Sequence, residues 1–304
     1  MLPVLLAAAL MLVACEESVD PILGTDQAFT LYGFLDAGAD TQAVRVFLIE
    51  DLLAPERPDP LDAEVRSINV ASGQATAWRD STVRFASGAF GHVYFAPLQV
   101  AFEQTYRVIA RRSDGAESAA TVTVPPETEA VPLDPFVTGE DVFIPVLWLR
   151  APRLNDIRVR YVMRILEIDP VSGDTLDAGT RRVTVDYGEA QVPTEDGIVA
   201  VVTLRRDRRI FFASLGLTGD QRTVLCRIEQ RVLVSNAEWT PPGGAYDPDV
   251  LVQPGTFTNV EGGFGFVGAG YEASAALTVP DVLLASVGYL VAPAYCEGVE
   301  GSRR

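Results

Sequence analysis

The chain has 304 residues, a formal charge of −17, one His (His92) and three Cys, and all 24 of its basic residues are Arg. With 48% hydrophobic residues it can bury a core, and its length suggests about two domains. The acidity argues against a nucleic-acid partner, because a phosphate backbone needs a basic face, and the single His rules out a His₃ or Cys₂His₂ zinc site.

Residues 2–14 form an apolar run that stops at Cys15. Such a run is too short to span a bilayer as a helix but has the length of a signal-peptide core. Its end, Leu12-Val13-Ala14-Cys15, resembles the lipobox of bacterial lipoproteins, in which the Cys is diacylated and becomes the first mature residue. Residues 1–14 are thus expected to be a lipoprotein signal peptide, although no Lys or Arg precedes the run. Residues 15–26, opening Cys15-Glu16-Glu17, are expected to form a lipidated acidic tether. An acidic stretch there resembles the export signal that sends some Bacteroidetes-type lipoproteins to the cell surface; an ordinary solvated tether is the alternative. The predicted location is the outer membrane, lipid-anchored, surface-exposed or periplasm-facing.

Residues 27–124 read as strand after strand, each short, rich in β-branched and aromatic residues and bounded by turn formers. Phe29–Asp36, Val44–Ile49, Glu64–Val70, Gly91–Phe95, Tyr106–Arg112 and Ala119–Val124 are the segments, with Ser113-Asp114-Gly115 as a hairpin turn. This predicts an immunoglobulin-like or transthyretin-like β-sandwich, with 54–60 as a long loop. Residues 125–135 hold four prolines and read as a semi-rigid linker between domains.

Residues 136–295 are expected to form a second antiparallel β domain with one late helix, followed by a polar tail, 296–304. Strands are predicted at Val142–Leu149, 157–168, Arg181–Tyr187 and Ile198–Leu204, and again over Gly263–Val279. Between them, Thr218-Gly219-Asp220-Gln221 resembles a capping box, and Leu225, Ile228 and Val232 follow at helical spacing. The same stretch also fits an alternating strand through Val224, Cys226 and Ile228; the cap favours the helix. Residues 239–253 read as a Pro/Gly-rich crossing loop, and the apolar stretch Val287–Ala294 is expected to dock on the second domain. With Cys15 lipidated, Cys226 and Cys296 remain as an even pair that an oxidising compartment would allow to bond; the alternative is a buried Cys226 and a free Cys296.

No motif points to catalysis. Gly263, Gly265 and Gly268 spell G-x-G-x-x-G, but no strand–helix unit surrounds them, so close backbone approach or a bulge in a sheet is the better reading. His92 lies in an apolar strand without a nucleophile motif. Loop carboxylates such as Asp59 and Asp62, Asp169 and Asp174, or Asp247 and Asp249 lack calcium-loop spacing and fit turn chemistry. No catalytic residue, metal or cofactor is expected.

The segment Asn259-Val260-Glu261-Gly262-Gly263-Phe264-Gly265-Phe266-Val267-Gly268 resembles the C-terminal signature of an uncharacterised Bacteroidetes-type outer-membrane lipoprotein family, known only as a domain of unknown function. That family also opens with a lipobox Cys and acidic residues. The resemblance implies a β-sandwich, a second β domain with a late helix, and a place beside outer-membrane TonB-dependent receptors; it brings no catalytic residues. The expected function is therefore a non-enzymatic, membrane-anchored lipoprotein that binds a ligand or receptor partner of an uptake system. Trp239 and Tyr246 in the crossing loop are candidate contacts. The alternative is a structural or adhesive surface module without a small ligand.

Overall fold

The computed structural model describes residues 27–49, 58–84, 86, 88, 90–169, 171–188, 191–217, 221–238 and 258–299. In chain order its strands are β1 (Phe29–Asp36), β2 (Gln42–Leu48), β3 (Glu64–Asn69), β4 (Ala75–Ala77), β5 (Arg79–Arg84), β6 (Phe90–Ala96), β7 (Thr105–Arg111), β8 (Glu117–Thr123) and β9 (Glu129–Pro132). Next come β10 (Phe136–Thr138), β11 (Asp141–Leu149), β12 (Arg153–Ile168), β13 (Thr175–Gly188), β14 (Gln191–Pro193) and β15 (Gly197–Thr203). Helix α1 (Leu204–Leu215), β16 (Arg222–Ser235), β17 (Val260–Glu261), β18 (Gly263–Leu277), helix α2 (Asp281–Ser286) and a 3-10 turn (Pro293–Cys296) complete the chain.

The architecture is mainly β, as the strand alternation requires. One eight-stranded sheet, in the order β13-β12-β16-β18-β1-β2-β6-β5, is backed by two five-stranded sheets. The sheet β17-β8-β7-β3-β4 packs on its β1–β6 side. Phe29, Leu31, Leu35, Val44 and Val46 there face Val108, Ala110, Ala120 and Val122. The other small sheet holds β10-β11-β15-β14, with β9 added to β11, and packs with α1 on the β12–β16 side. Trp148 on β11, fully buried, spans the second core and donates its indole N–H to Gln230 Oε1 on β16 at 2.9 Å.

The two sandwiches are joined by a parallel seam between the first and last long strands, Phe29 opposite Gly263 through Asp36 opposite Gly270. The Asn-to-Gly signature builds this seam. A Cβ on Gly263 would lie 2.1 Å from the Phe29 carbonyl oxygen, and one on Gly265 2.2 Å from that of Leu31. Asn259 folds back so that its Nδ2 donates to the Val267 carbonyl at 2.7 Å and its Oδ1 accepts the Val267 N–H at 2.9 Å. The Ser118 hydroxyl closes the end, donating to the Gly262 carbonyl and accepting the Phe29 N–H.

Three expectations change. The stretch read as a capped helix is strand β16 from Arg222 onward, paired on both sides with β12 and β18; residues 218–220 lie outside the described residues. The late helix is α1, which starts where β15 ends. The proline-rich stretch 125–135 is not a free linker. Its residues Glu129–Pro132 pair with β11, and the Tyr271 hydroxyl on β18 accepts the Thr128 N–H and donates to the Pro126 carbonyl. Pro132 within this strand is tolerated because an edge strand does not need every N–H. The tail read as polar begins inside the fold, with Cys296 and Val299 buried against Val162, Leu166 and Val224.

Candidate functional site

A groove of about 470 Å³ opens where β11 turns into β12, lined by Arg150, Ala151, Pro152 and the turn from Pro193 to Ile198. The sequence builds it from two tight turns. Arg150 sits in the left-handed region at φ 58°, and its N–H donates to the Asp196 carbonyl at 2.8 Å. Across from it, the Thr194 hydroxyl and N–H both donate to the Gly197 carbonyl. Gly197 is required by close approach, since a Cβ there would lie 2.1 Å from the Trp148 carbonyl oxygen. Ala151 and Ile198 form a buried apolar floor, while Glu195 and Asp196 stand exposed on one wall. The Arg150 guanidinium reaches the Glu127 carbonyl at 2.7 Å, which ties the groove to the crossing between the sandwiches. An open groove with an apolar floor and two exposed carboxylates on one wall offers a ligand both apolar contact and hydrogen bonds.

The residues singled out from sequence are dispersed. His92 is fully buried on β6, its Nδ1 2.9 Å from Asp80 Oδ2 on β5, so it ties an edge strand to the sheet. Asp169 accepts the Val171 and Ser172 N–H groups, which hold its carboxyl below the ordinary range and make it a turn residue. Asp62 accepts from the Ser113 hydroxyl at 2.6 Å and binds two loops together. The glycines of G-x-G-x-x-G lie in the parallel seam. Cys226 and Cys296 are joined by a disulfide with Cα atoms 5.3 Å apart. Cys15, Trp239, Tyr246, Asp247, Asp249 and most of the 54–60 loop lie outside the described residues. Among the described residues no group of three or more His, Cys, Asp or Glu is placed to hold a metal ion.

One constellation was not anticipated. Asp207 on α1 is fully buried and its Oδ2 accepts the hydroxyls of Tyr161 on β12 and Tyr187 on β13, the latter at 2.5 Å. The Tyr187 oxygen in turn accepts the Thr203 N–H at 2.7 Å. Asp207 Oδ1 has no hydrogen-bond partner among the described residues. Burial pushes the Asp207 carboxyl up against the opposing pull of its two phenol donors, and pushes the Tyr161, Tyr187 and Tyr289 phenols up as well. The only trace of this in sequence is an acidic residue three after Leu204 and four before Phe211, where a helix facing a core should carry an apolar one.

The fold and the groove thus define a mainly antiparallel β protein of two sandwiches sharing one sheet. No protein-family model and no curated protein matches the chain. Solved structures similar to it include a pullulanase from Anoxybacillus sp. LM18-11, at 9% identity over 68% of this chain and 24% of that one with a TM-score of 0.21. Bovine butyrophilin is similar at 11% identity over 83% of this chain and 99% of that one, with a TM-score of 0.20. The chain spans about a quarter of the pullulanase. At these scores neither likeness carries a functional argument.

Proposed function

We propose that this chain is a non-enzymatic lipoprotein, anchored in the outer membrane through Cys15, that binds a ligand or receptor partner through the groove at Arg150 and Glu195. The observation that carries the reading is the Cys226–Cys296 disulfide. Such bonds persist outside the reducing cytoplasm, in agreement with a signal sequence ending at Leu12-Val13-Ala14-Cys15. The groove supports the binding part: it is formed by two turns of the second sandwich, one between β11 and β12 and one between β14 and β15, each fixed by backbone hydrogen bonds. The outer-membrane location and a TonB-dependent receptor as partner come from the family that the Asn259–Gly268 segment resembles.

Two experiments test the proposal. Cys15→Ala in the full chain should move the protein from membranes to a soluble fraction; a variant that stays membrane-bound with its N-terminus intact defeats the anchor. A photo-crosslinking side chain at Glu195 in intact cells should capture an outer-membrane β-barrel protein, while one at the exposed Ser72 should not. Equal capture at both positions, or none at Glu195, removes the groove from the proposal.

A further inference from the structure

Helix α1 faces the second core with Leu204, Asp207 and Phe211, so a carboxylate occupies the middle of its apolar stripe. Docking the helix forces that group out of water, and burial disfavours the charged form. The hydrogen-bond geometry is lopsided. Both phenols donate to Oδ2, while Oδ1 is buried with no hydrogen-bond partner among the described residues, the Arg206 Nε standing 3.9 Å away. Two phenols fill the acceptor sites of Oδ2 as they would those of a carbonyl oxygen, which leaves Oδ1 as the atom to carry a proton. An ionised carboxylate spreads its charge over both oxygens, and the half on Oδ1 would be faced only by the Arg206 guanidinium at 3.9 Å, without a hydrogen bond.

The charged and titratable groups around Asp207 come from each packed element. Tyr161 stands on β12, Tyr187 on β13, and Tyr289 in the segment after α2, where its ring lies 6.3 Å from Phe211 and its hydroxyl has no partner among the described residues. Asp141 on β11 accepts the Arg205 N–H at 3.0 Å, capping α1 from another strand, and its charge opposes a second negative charge at Asp207. On α1 itself, Arg206 brings Nε to 3.9 Å from Oδ1 and is half-exposed over the Tyr187 ring, and Arg208 stacks on Phe212. Arg206 favours ionisation, but its guanidinium is shared with solvent and screened.

We propose that Asp207 is a proton-coupled latch: α1 clamps β12 and β13 most tightly when the carboxyl is protonated, and its grip weakens as the pH rises and the carboxyl ionises. The sign follows from linkage. A group with greater proton affinity in the folded than in the unfolded state stabilises the fold below its unfolded pKa, and that contribution is lost as pH rises through the folded pKa. Tyr289 rides on the same chain segment as Cys296, so the latch also reaches the disulfide-bonded tail.

The test compares urea unfolding of the full chain and its Asp207→Asn variant from about pH 4 to about pH 9. Asparagine offers the phenols the same carbonyl oxygen and cannot ionise. The ratio of folding constants, wild type over variant, should fall as pH rises, by no more than about tenfold per pH unit for one proton and by at least about tenfold across the range. Titrating groups remote from Asp207 cancel in this ratio. A ratio constant within about twofold, or one that rises with pH, overturns the latch. Tyr187→Phe removes one donor to the carboxylate and should move the fall to higher pH; an unmoved profile counts against it. Should Asp207→Asn fail to fold, the ¹³C carboxyl titration of Asp207 in the wild-type chain decides: a midpoint above the ordinary value of about 3.9 supports the latch, and one at or below it overturns it.

Discussion

Replacing both Cys226 and Cys296 with Ala tests what holds the C-terminal segment to the sheet. The bridge closes a loop with a sequence separation of 70 residues. For a loop of that length, lost freedom of the unfolded chain corresponds to about 4 kcal/mol near room temperature. Its other attachments among the described residues include Leu290 N–H to the Thr223 carbonyl at 2.8 Å, Arg164 Nε to the Tyr295 carbonyl at 3.1 Å, Tyr289 packed in the second core, and a small apolar cluster with Val162, Leu166, Val224 and Val299. Each such hydrogen bond contributes only about 1 kcal/mol net. The double variant should therefore lose about 3–5 kcal/mol in urea unfolding. Because the bridge acts on the unfolded ensemble, the denaturant slope should also rise, as the uncrosslinked chain exposes more surface. Single and double variants should lose nearly the same amount, since either single change already opens the loop. A loss under about 1 kcal/mol with an unchanged slope would falsify the reasoning and assign the tail to packing alone.

Gly263→Ala should cost about 3 kcal/mol in unfolding free energy, because its Cβ would overlap the Phe29 carbonyl oxygen at 2.1 Å and the neighbouring backbone cannot yield without opening the seam. A variant that melts with the wild type refutes that close approach. Asn259→Ala leaves both polar groups of Val267 without their side-chain partner and should cost about 2–4 kcal/mol; Asn259→Asp keeps the oxygen that accepts the Val267 N–H and should cost less, so equal losses would show that this accepted bond contributes nothing. Tyr94 is pushed up to about 12, by burial first and by Asp80 second. Its phenol ionises later when folded than when unfolded, so its stabilising contribution should be intact below about pH 10 and be lost as pH rises through about 12. Ultraviolet titration should show the Tyr94→Phe variant losing one late-ionising phenol, and an unchanged late step contradicts the assignment.

The sandwich character was legible because strands such as β2 and β7 bury one face and alternate accordingly, Val44 and Val46 inward against Arg45, Tyr106 and Val108 inward against Arg107. Strand β16 was misread because it is covered on both faces: residues 223–226 are all buried, so no period of two survives and Leu225, Ile228 and Val232 mimic a helix. Helix α1 was missed for the converse reason. Four arginines and a buried aspartate interrupt the apolar stripe, and only Leu204, Phe211 and the left-handed Gly216 that ends it give the helical spacing away. The Pro-rich crossing looked like a spacer because its partners, β11 and Tyr271, are distant in sequence. The glycines of the seam were read correctly as sites of close backbone approach. The groove had no sequence signal, since its turn residues are ordinary ones brought together where the β11–β12 crossing between sheets meets the β14–β15 hairpin.

The parallel pairing of β1 with β18 also sets the order in which the chain can fold. As residues emerge from N- to C-terminus, β1 can pair at once with β2, but its other edge stays open until nearly all of the chain has followed. A pairing between the two ends of the sequence carries a high loop-closure entropy and belongs to topologies of high contact order, which fold slowly. Until β18 arrives, the β1 edge is a template for the wrong strand, from another copy or from within the chain. A fragment ending before Asn259 would keep that exposure permanently and should aggregate, so the first sandwich is complete only as part of the whole chain.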